Sequence, residues 1–461
     1  MTEQHDADSA NFPRVGAFDS DPLSSPTTAA DHCSSNGRRP WQVAIFFLLA
    51  GLFLGAFPMM NALHDANNNK DYSHWYLFGR TVLTNGALYS DVRNGEPEYM
   101  YPPTAAVLLY APLALMSPLA FVCALSLISS VAWSFSAWAA MVLTRNKGDC
   151  RPLLCSVLPG LAITPYVWDI QLLGQTNLLL LALTIGAFLC VRSRHPLLGS
   201  ALFATAVSLK AFPLPAIAYF IVRKQWLAVF GSLVSIVALV WFLPGLVRGF
   251  ERNNLELRQW VSLMIADQSG ATMAGRSSIG FTRRNQSIVS CSHRLLRQVD
   301  AGDTPDQPLY VNLLNTTPET AQLVGYGTCL LLGLILLVCC RFHFAPSPEC
   351  EGIEIAMVCT LVPLCSPLAW TYFFCWLLPA WFAIGSSLYN PQLPRHARRI
   401  MTITATIGGL LLVSAASEHL DPTLQAYGVT CFGAIALFLT LAYVRFQLST
   451  PVSPAVEVAA A

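Results

Sequence analysis

Long apolar runs alternate with short polar breaks along most of this 461-residue chain. A helix needs about 20 apolar residues to cross the hydrocarbon of a bilayer. Runs near that length, or shorter ones bounded by charges, fall at residues 41–60, 119–143, 153–170, 176–191, 197–209, 211–222, 226–246, 321–340, 353–367, 372–389, 400–417 and 424–444. The pattern predicts an all-α polytopic integral membrane protein of about 12 transmembrane or re-entrant helices, with two large loops at 61–102 and 247–320. No internal repeat stands out.

Lysine and arginine mark the cytoplasmic ends of spans. They cluster at Arg38/Arg39, Arg145/Lys147/Arg151, Arg192/Arg194, Arg223/Lys224, Arg341, Arg395/Arg398/Arg399 and Arg445, whereas "WDIQLLGQTN", "SPLAWTY" and "SEHLDP" are poor in them. Placing every basic cluster inside gives a consistent alternation, with both termini in the cytoplasm and both large loops outside. Two stretches do not span singly. "PPTAAVLLYAPLAL" (102–115) is short and broken by prolines, and reads as a re-entrant or interfacial helix on the outer side. Residues 197–224 run between two cytoplasmic clusters, with Pro213 and Pro215 just after Lys210, and predict two short helices that break near Lys210. Broken helices at membrane depth occur where they line a cavity.

Composition agrees with this reading. Hydrophobic residues make up 54% and charged residues 11% of the chain, against about 25% charged in soluble domains, and mean hydropathy is +0.50. A net charge of +1 gives no reason to expect nucleic acid as a partner. The fourteen cysteines form no CxxC pair and mostly sit in apolar runs as small hydrophobes, Cys291 being the one expected in an exposed loop. Residues 1–40, polar and rich in Asp, Ser and Pro, predict a disordered cytoplasmic tail ahead of a membrane domain at 41–445 and a short tail at 446–461.

Candidate chemistry collects where helices meet the outer surface. In "NNNKDYSHWYLFGRTVLTNGALYSD" (67–91), Asp71 opens an amphipathic segment and suits both a helix N-cap and a general base whose pKa partial burial can tune. His74 reads as a polar surface residue, while Trp75 and Tyr76 suit stacking on a sugar or anchoring in lipid. Asp65, Asp91, Glu96 and Glu98 are nearby acids. An Asp65/Asp71 pair is the nearest approach to a cation site, but no His or acid recurs at ligand spacing, so no metal is expected. Tyr101 in "YMYPPT" suits an aromatic belt or a sugar site, and Gln175 and Asn177 cap helix ends or hold hydroxyls. Lys210 is the lone Lys or Arg well inside an apolar segment, where it suits snorkelling to an interface or, beside the proline break, holding a phosphate with its ammonium. The second loop carries Arg283, Asn285 and Ser287 in "RRNQSIVSCSHRLLR", and "CSPLAWTYFFCW" carries Trp370 and Tyr372.

Taken in order, "DYSHWYLFGRTVLTNGALYSD" with "YMYPPTAAVLLYAPLAL", "LGQTNLLLLAL", "GSALFATAVSLKAFPLPAIAYFIVRKQW", and "NQSIVSCSHRLL" followed by "SPLAWTYFFCWLLPA" make the chain resemble the polyprenol-phosphate-sugar-dependent membrane glycosyltransferases of glycosyltransferase family 87, within the GT-C superfamily. The resemblance extends over most of residues 41–390. It implies that Asp71 is the catalytic base, that Lys210 is the lysine of the broken-helix segment, and that Asn285 to Ser287 is the family's Asn-x-Ser segment. The family commonly has a His after a Ser-Trp pair, whereas this chain reads Ala369-Trp370-Thr371-Tyr372.

The resemblance further implies transfer of a hexose, usually mannose, from a polyprenyl-phosphate sugar to a hydroxyl of a glycolipid or glycan, with inversion and without a cofactor. The reaction would take place outside the plasma membrane. Asp71 would accept the hydroxyl proton, and Lys210, helped by Arg80 or Arg283, would hold the phosphate. Tyr101, Gln175, Asn177, Asn285, Ser287, Trp370 and Tyr372 would line the substrate site. Two other classes share some of these features: a carrier or flippase for a lipid or sugar, and a membrane scaffold.

Overall fold

The structure, a computed structural model, describes residues 39–65, 70–89, 99–145, 153–262, 280–303, 306–341, 347–415 and 422–448. The expected tails, apart from the helical residues at their inner edges, lie outside the described residues, as do Asp91, Glu96 and Glu98. Among the described residues the chain is all-α, with one isolated bridge between Asn285 and Trp370. Each of the twelve apolar runs carries helix.

The helices are α1 (Arg39–Asp65), α2 (Lys70–Leu83), α3 (Pro103–Leu113), α4 (Pro118–Thr144), α5 (Leu153–Leu161), α6 (Thr164–Leu173), α7 (Asn177–Arg192), α8 (Pro196–Leu209), α9 (Ile217–Val222), α10 (Trp226–Arg248), α11 (Phe250–Val261), α12 (Ile288–Leu296), α13 (Pro318–Arg341), α14 (Pro348–Cys365), α15 (Thr371–Leu388), α16 (Arg395–Ala415), α17 (Pro422–Ala426) and α18 (Val429–Gln447). Among the described residues seven are long and apolar enough to cross a membrane, and α5 with α6, bent by 53°, forms a broken span or a re-entrant loop. The rest of the sequence pattern resolves into shorter pieces. α3 covers only eleven residues, about 16 Å at 1.5 Å per residue, which does not reach across a bilayer. α8 stops at Leu209, and a 3-10 turn over Leu214–Ala216 leads into α9, so the chain does break at Lys210.

Close packing begins with α1 against α4. Gly51 and Gly55 on α1 face Ser130 and Ser126 on α4, and a Cβ at Gly55 would lie 2.3 Å from the Ser126 hydroxyl oxygen. Small residues four apart let two backbones approach in an apolar setting. Gln171 of α6 closes this seam. Its amide donates to Ser130 Oγ at 3.0 Å and to the Gly51 carbonyl at 3.3 Å, and it accepts from Ser126 Oγ at 2.9 Å.

Among the described residues, Arg192, Arg223 and Arg445 gather at one end of the bundle. Glu354 of α14, fully buried, takes Arg445 of α18 at 2.8 Å and pairs with Arg223 just after α9. Arg192 at the end of α7 lies 3.6 Å from Glu351 and donates to the Leu143 carbonyl near the end of α4. Trp41 of α1 stands 5.6 Å from Trp138 of α4. The starts of α1 and α14 and the ends of α4, α7, α9 and α18 therefore share a face. Removing one partner of so buried an ion cluster costs about 3–5 kcal/mol.

The opposite end holds the start of α2 and the irregular chain at 280–317. Arg294, fully buried, ties that chain to the end of α17 by donating to the Ala426 carbonyl at 2.7 Å, and bonds the Asn285 carbonyl at 2.6 Å. Cys291, expected to be exposed, is buried beside it: Arg294 Nη2 donates to its sulfur at 3.2 Å, and a Cβ on Gly428 would lie 2.6 Å from that sulfur. The amphipathic face of α12 turns Cys291 inward.

Candidate active site

The start of α2 is held in place by its aromatic residues. Tyr72 donates its hydroxyl to the Gln171 carbonyl at 2.6 Å, and Trp75 donates Nε1 to the Gly174 carbonyl at 2.9 Å. Trp75 also stacks on Tyr110 of α3 at 5.3 Å and 7°. Its indole is buried, so the expectation that Trp75 stacks on sugar or anchors in lipid gives way to a packing role. Tyr76 likewise packs edge-on against Phe121 at 5.5 Å.

Gly174 ends α6 in the left-handed region at φ +76°, where a side chain is disfavoured. A Cβ there would lie 2.8 Å from the Tyr72 ring. This tight turn aims the next residues, Gln175 and Asn177, at the start of α2 and at the Lys210 break.

Five residues singled out in the sequence meet in one continuous polar chain. Gln175 Nε2 donates to Asp71 Oδ2 at 2.6 Å, and Gln175 Oε1 accepts from the Tyr101 hydroxyl at 3.2 Å. Lys210 Nζ donates to that hydroxyl at 3.4 Å and to Asn177 Oδ1 at 3.3 Å. The ammonium also lies 4.3 Å from the Phe373 ring centroid and 4.9 Å from that of Tyr101. It forms no ion pair among the described residues. The Nδ2 of Asn177 is buried and without a hydrogen-bond partner. A buried orphan donor is costly, and here it adjoins a cation.

Electrostatics give these groups distinct characters. Burial raises the pKa of Asp71 above the usual carboxylate value; the Gln175 hydrogen bond and the positive fields of His74, Lys210 and Lys70 oppose the rise. His74, one turn along α2, thus stands within electrostatic reach of the carboxylate rather than apart from it. Burial, followed by the charge of Asp71, pushes the Tyr101 phenol up, so it remains a donor. A half-buried carboxylate, a lysine and unsatisfied amide capacity share one site.

Tyr372 borders this site. It lies within electrostatic reach of Tyr101, Asp71 and Asp169, with its ring 5.3 Å from that of Phe373. Sequence reasoning passed over Phe373 and Asp169. The first stands next to Tyr372 in "TYFFCW", and the second opens "DIQLLGQTN", ahead of Gln175, so both lay inside stretches already singled out.

The remaining candidates fall elsewhere. Arg80 is nine residues past Asp71 on α2, about half a turn out of phase and about 13.5 Å along the axis. Arg283 is engaged by Asp303 at 2.6 Å and Gln425 at 2.7 Å. Asn285 is fully buried with its amide in four hydrogen bonds. It donates to the carbonyls of Gly280 and Pro367 at 2.9 and 3.2 Å, and accepts from the amides of Ser287 and Ala369 at 3.1 and 3.0 Å. Ser287 caps α12 by accepting from the Ser290 amide, and donates to the Pro367 carbonyl at 3.3 Å. Trp370 is held by its bridge to Asn285. These residues fasten the 280–287 chain to the 366–371 chain, with Asn285 and Ser287 as the staples.

A polyprenol-phosphate-mannose-dependent alpha-(1-2)-phosphatidylinositol mannoside mannosyltransferase of Mycobacterium tuberculosis (strain ATCC 25618 / H37Rv) is 26% identical over 368 residues, covering 76% of this chain and 77% of the relative. No solved structure matches. The sequence profile of glycosyltransferase family 87 matches residues 99–367, an interval that holds four of the five network residues, with Asp71 ahead of it. That interval is more than half of the chain, and this polytopic membrane protein belongs to glycosyltransferase family 87.

Proposed function

We propose that the protein transfers mannose from a polyprenyl-phosphate donor to a hydroxyl of a glycolipid or glycan, inverting the anomeric carbon, on the extracytoplasmic side of the plasma membrane. The observation that carries this reading is the Asp71–Gln175–Tyr101–Lys210–Asn177 chain, which sets a base and a cation at one site. Family membership favours a transferase over a carrier. The mannose donor and a glycolipid acceptor follow the name of the relative.

In this reading Asp71 takes the proton of the acceptor hydroxyl as that oxygen forms a bond to the anomeric carbon. The bond from the anomeric carbon to the phosphate oxygen breaks, and its electron pair leaves on polyprenyl phosphate. A phosphate is a good leaving group, so the step needs a base and a counter-charge more than a strong acid. Lys210 supplies the counter-charge, and Asn177 Nδ2 is placed to donate to a phosphate oxygen. Gln175 keeps the carboxylate oriented, and Tyr101 relays position between Gln175 and Lys210. One base and direct displacement give inversion. The basic clusters at the far end of the bundle support an extracytoplasmic site.

The test uses liposomes containing polyprenyl-phosphate-mannose and a panel of glycolipid acceptors. General-base catalysis contributes about 10²–10⁴-fold, so Asp71→Asn is expected to lose that much turnover while still binding donor. Equal turnover of the variant and the native protein would remove Asp71 from the mechanism. Transfer from a different polyprenyl-phosphate sugar, but not from the mannose donor, would reassign the sugar.

A further inference from the structure

A second concave site lies at the basic end, remote from the Asp71 network. It is a cavity of about 670 Å³ between the end of α7, the end of α9 and the start of α14. Since α7 has 16 residues and runs from Asn177 to Arg192, the two sites stand about 24 Å apart along it.

The cavity wall combines charge with an apolar floor. Arg192, Arg194 and Arg223 line it with the Gln225 amide, and Val191 and Pro196 supply partly exposed apolar surface. Glu351 is the one acid in the lining, so three guanidiniums face one carboxylate. Glu354 offsets Arg223 from behind, but it is shared with Arg445, so the wider group still carries two more positive than negative charges. Arg223 Nε is buried and has no hydrogen-bond partner. A positive-inside bias accounts for arginines near this end. It does not account for three arginines lining one hollow.

The local backbone points the same way. The turns after α7 and α9 both close through a basic residue with positive φ, Arg194 at 63° and Lys224 at 55°. In each, the next amide reaches back to a carbonyl five residues earlier, His195 to Cys190 and Gln225 to Phe220, both at 2.8 Å. Glycine is the usual residue for such a turn; here the turn after α7 presents Arg194 to the cavity instead.

We propose that this cavity binds a phosphate group, carried by an anionic lipid headgroup or by a soluble phosphate ester. Guanidiniums match phosphate oxygens through paired N–H donors. Basic pockets between membrane helices are suited to such headgroups, and the apolar surface of Val191 and Pro196 suits an adjoining glycerol portion. The site is separate from the proposed donor phosphate position at Lys210 and does not depend on the mannosyl-transfer reading.

Full-length protein, stripped of lipid in a neutral detergent, is titrated with phosphatidylglycerol, glycerol phosphate and phosphate-free diacylglycerol, with native mass spectrometry as the readout. The component that counts is the one sensitive to Arg194→Glu and Gln225→Glu, two exposed positions outside the buried ion cluster. Both variants are expected to weaken one-to-one phosphatidylglycerol binding by about tenfold or more, the scale of a lost charge-assisted bond, and Arg194→Lys to weaken it less. Binding of phosphatidylglycerol but not glycerol phosphate assigns a lipid; equal binding of both assigns a soluble ester. Equal binding by the native chain and both variants, binding of diacylglycerol as tight as phosphatidylglycerol, or no binding of either phosphate compound overturns the proposal.

Discussion

Asp71 accepts a hydrogen bond from Gln175 Nε2 at 2.6 Å, a contact between residues 104 positions apart in sequence. It opposes the desolvation that raises the pKa of Asp71. A base works only when ionised, so kcat/KM should rise with pH along an acidic limb set by Asp71, above the usual carboxylate range. Gln175→Leu removes the stabilising donor and leaves the burial, so that limb should move to higher pH. The pH profiles of native and variant protein test this, and an unmoved limb would mean that another group titrates.

Lys210 carries the cation of the site, and among the described residues its ammonium has hydrogen bonds to Tyr101 and Asn177 alone. Lys210→Met is nearly the same length and uncharged. It should raise KM for the donor by about tenfold or more, since a hydrogen bond to a charged group contributes about 1.5–3 kcal/mol. Lys210→Arg should recover part of the loss. Inhibition by free polyprenyl phosphate gives an independent reading, and unchanged inhibition in Lys210→Met would place the phosphate elsewhere.

Asn285 is expected to behave as a staple. Its amide makes four hydrogen bonds, and at about 1 kcal/mol each the Asn285→Ala variant should lose about 2–4 kcal/mol of stability. The thermal midpoint should fall while the donor KM of the folded protein stays near native. A raised KM with an unchanged midpoint would return Asn285 to the substrate site.

Gly174→Ala tests the turn that aims Gln175. The left-handed conformation costs a residue with a Cβ about 1–2 kcal/mol, and the new methyl would press on the Tyr72 ring at 2.8 Å. Stability and turnover should both fall, because Trp75 Nε1 bonds this same residue's carbonyl. Loss of stability without loss of turnover would show that the turn and the site are independent.

The sequence by itself determined the class of fold, because apolar length and basic clustering answer to the bilayer rather than to any particular neighbour. It marked the break at Lys210, since two prolines close behind a lysine disrupt a helix regardless of context. It also located Asp71, Tyr101, Gln175, Asn177 and Lys210, all at helix ends, where polar groups in an apolar chain are conspicuous. Only the tertiary structure decided which of the candidates meet. Arg80 was separated from Asp71 by helix phase, and Arg283 was taken by Asp303, a partner that spacing does not reveal. Asn285 looked as much like a ligand as Asn177 did in one dimension. The difference is saturation: the amide of Asn285 is fully bonded by chain that returns at 366–369, whereas Asn177 keeps a buried donor unmatched beside a cation. Hydrogen-bond capacity is spent by long-range contacts, and those exist only once the chain has folded.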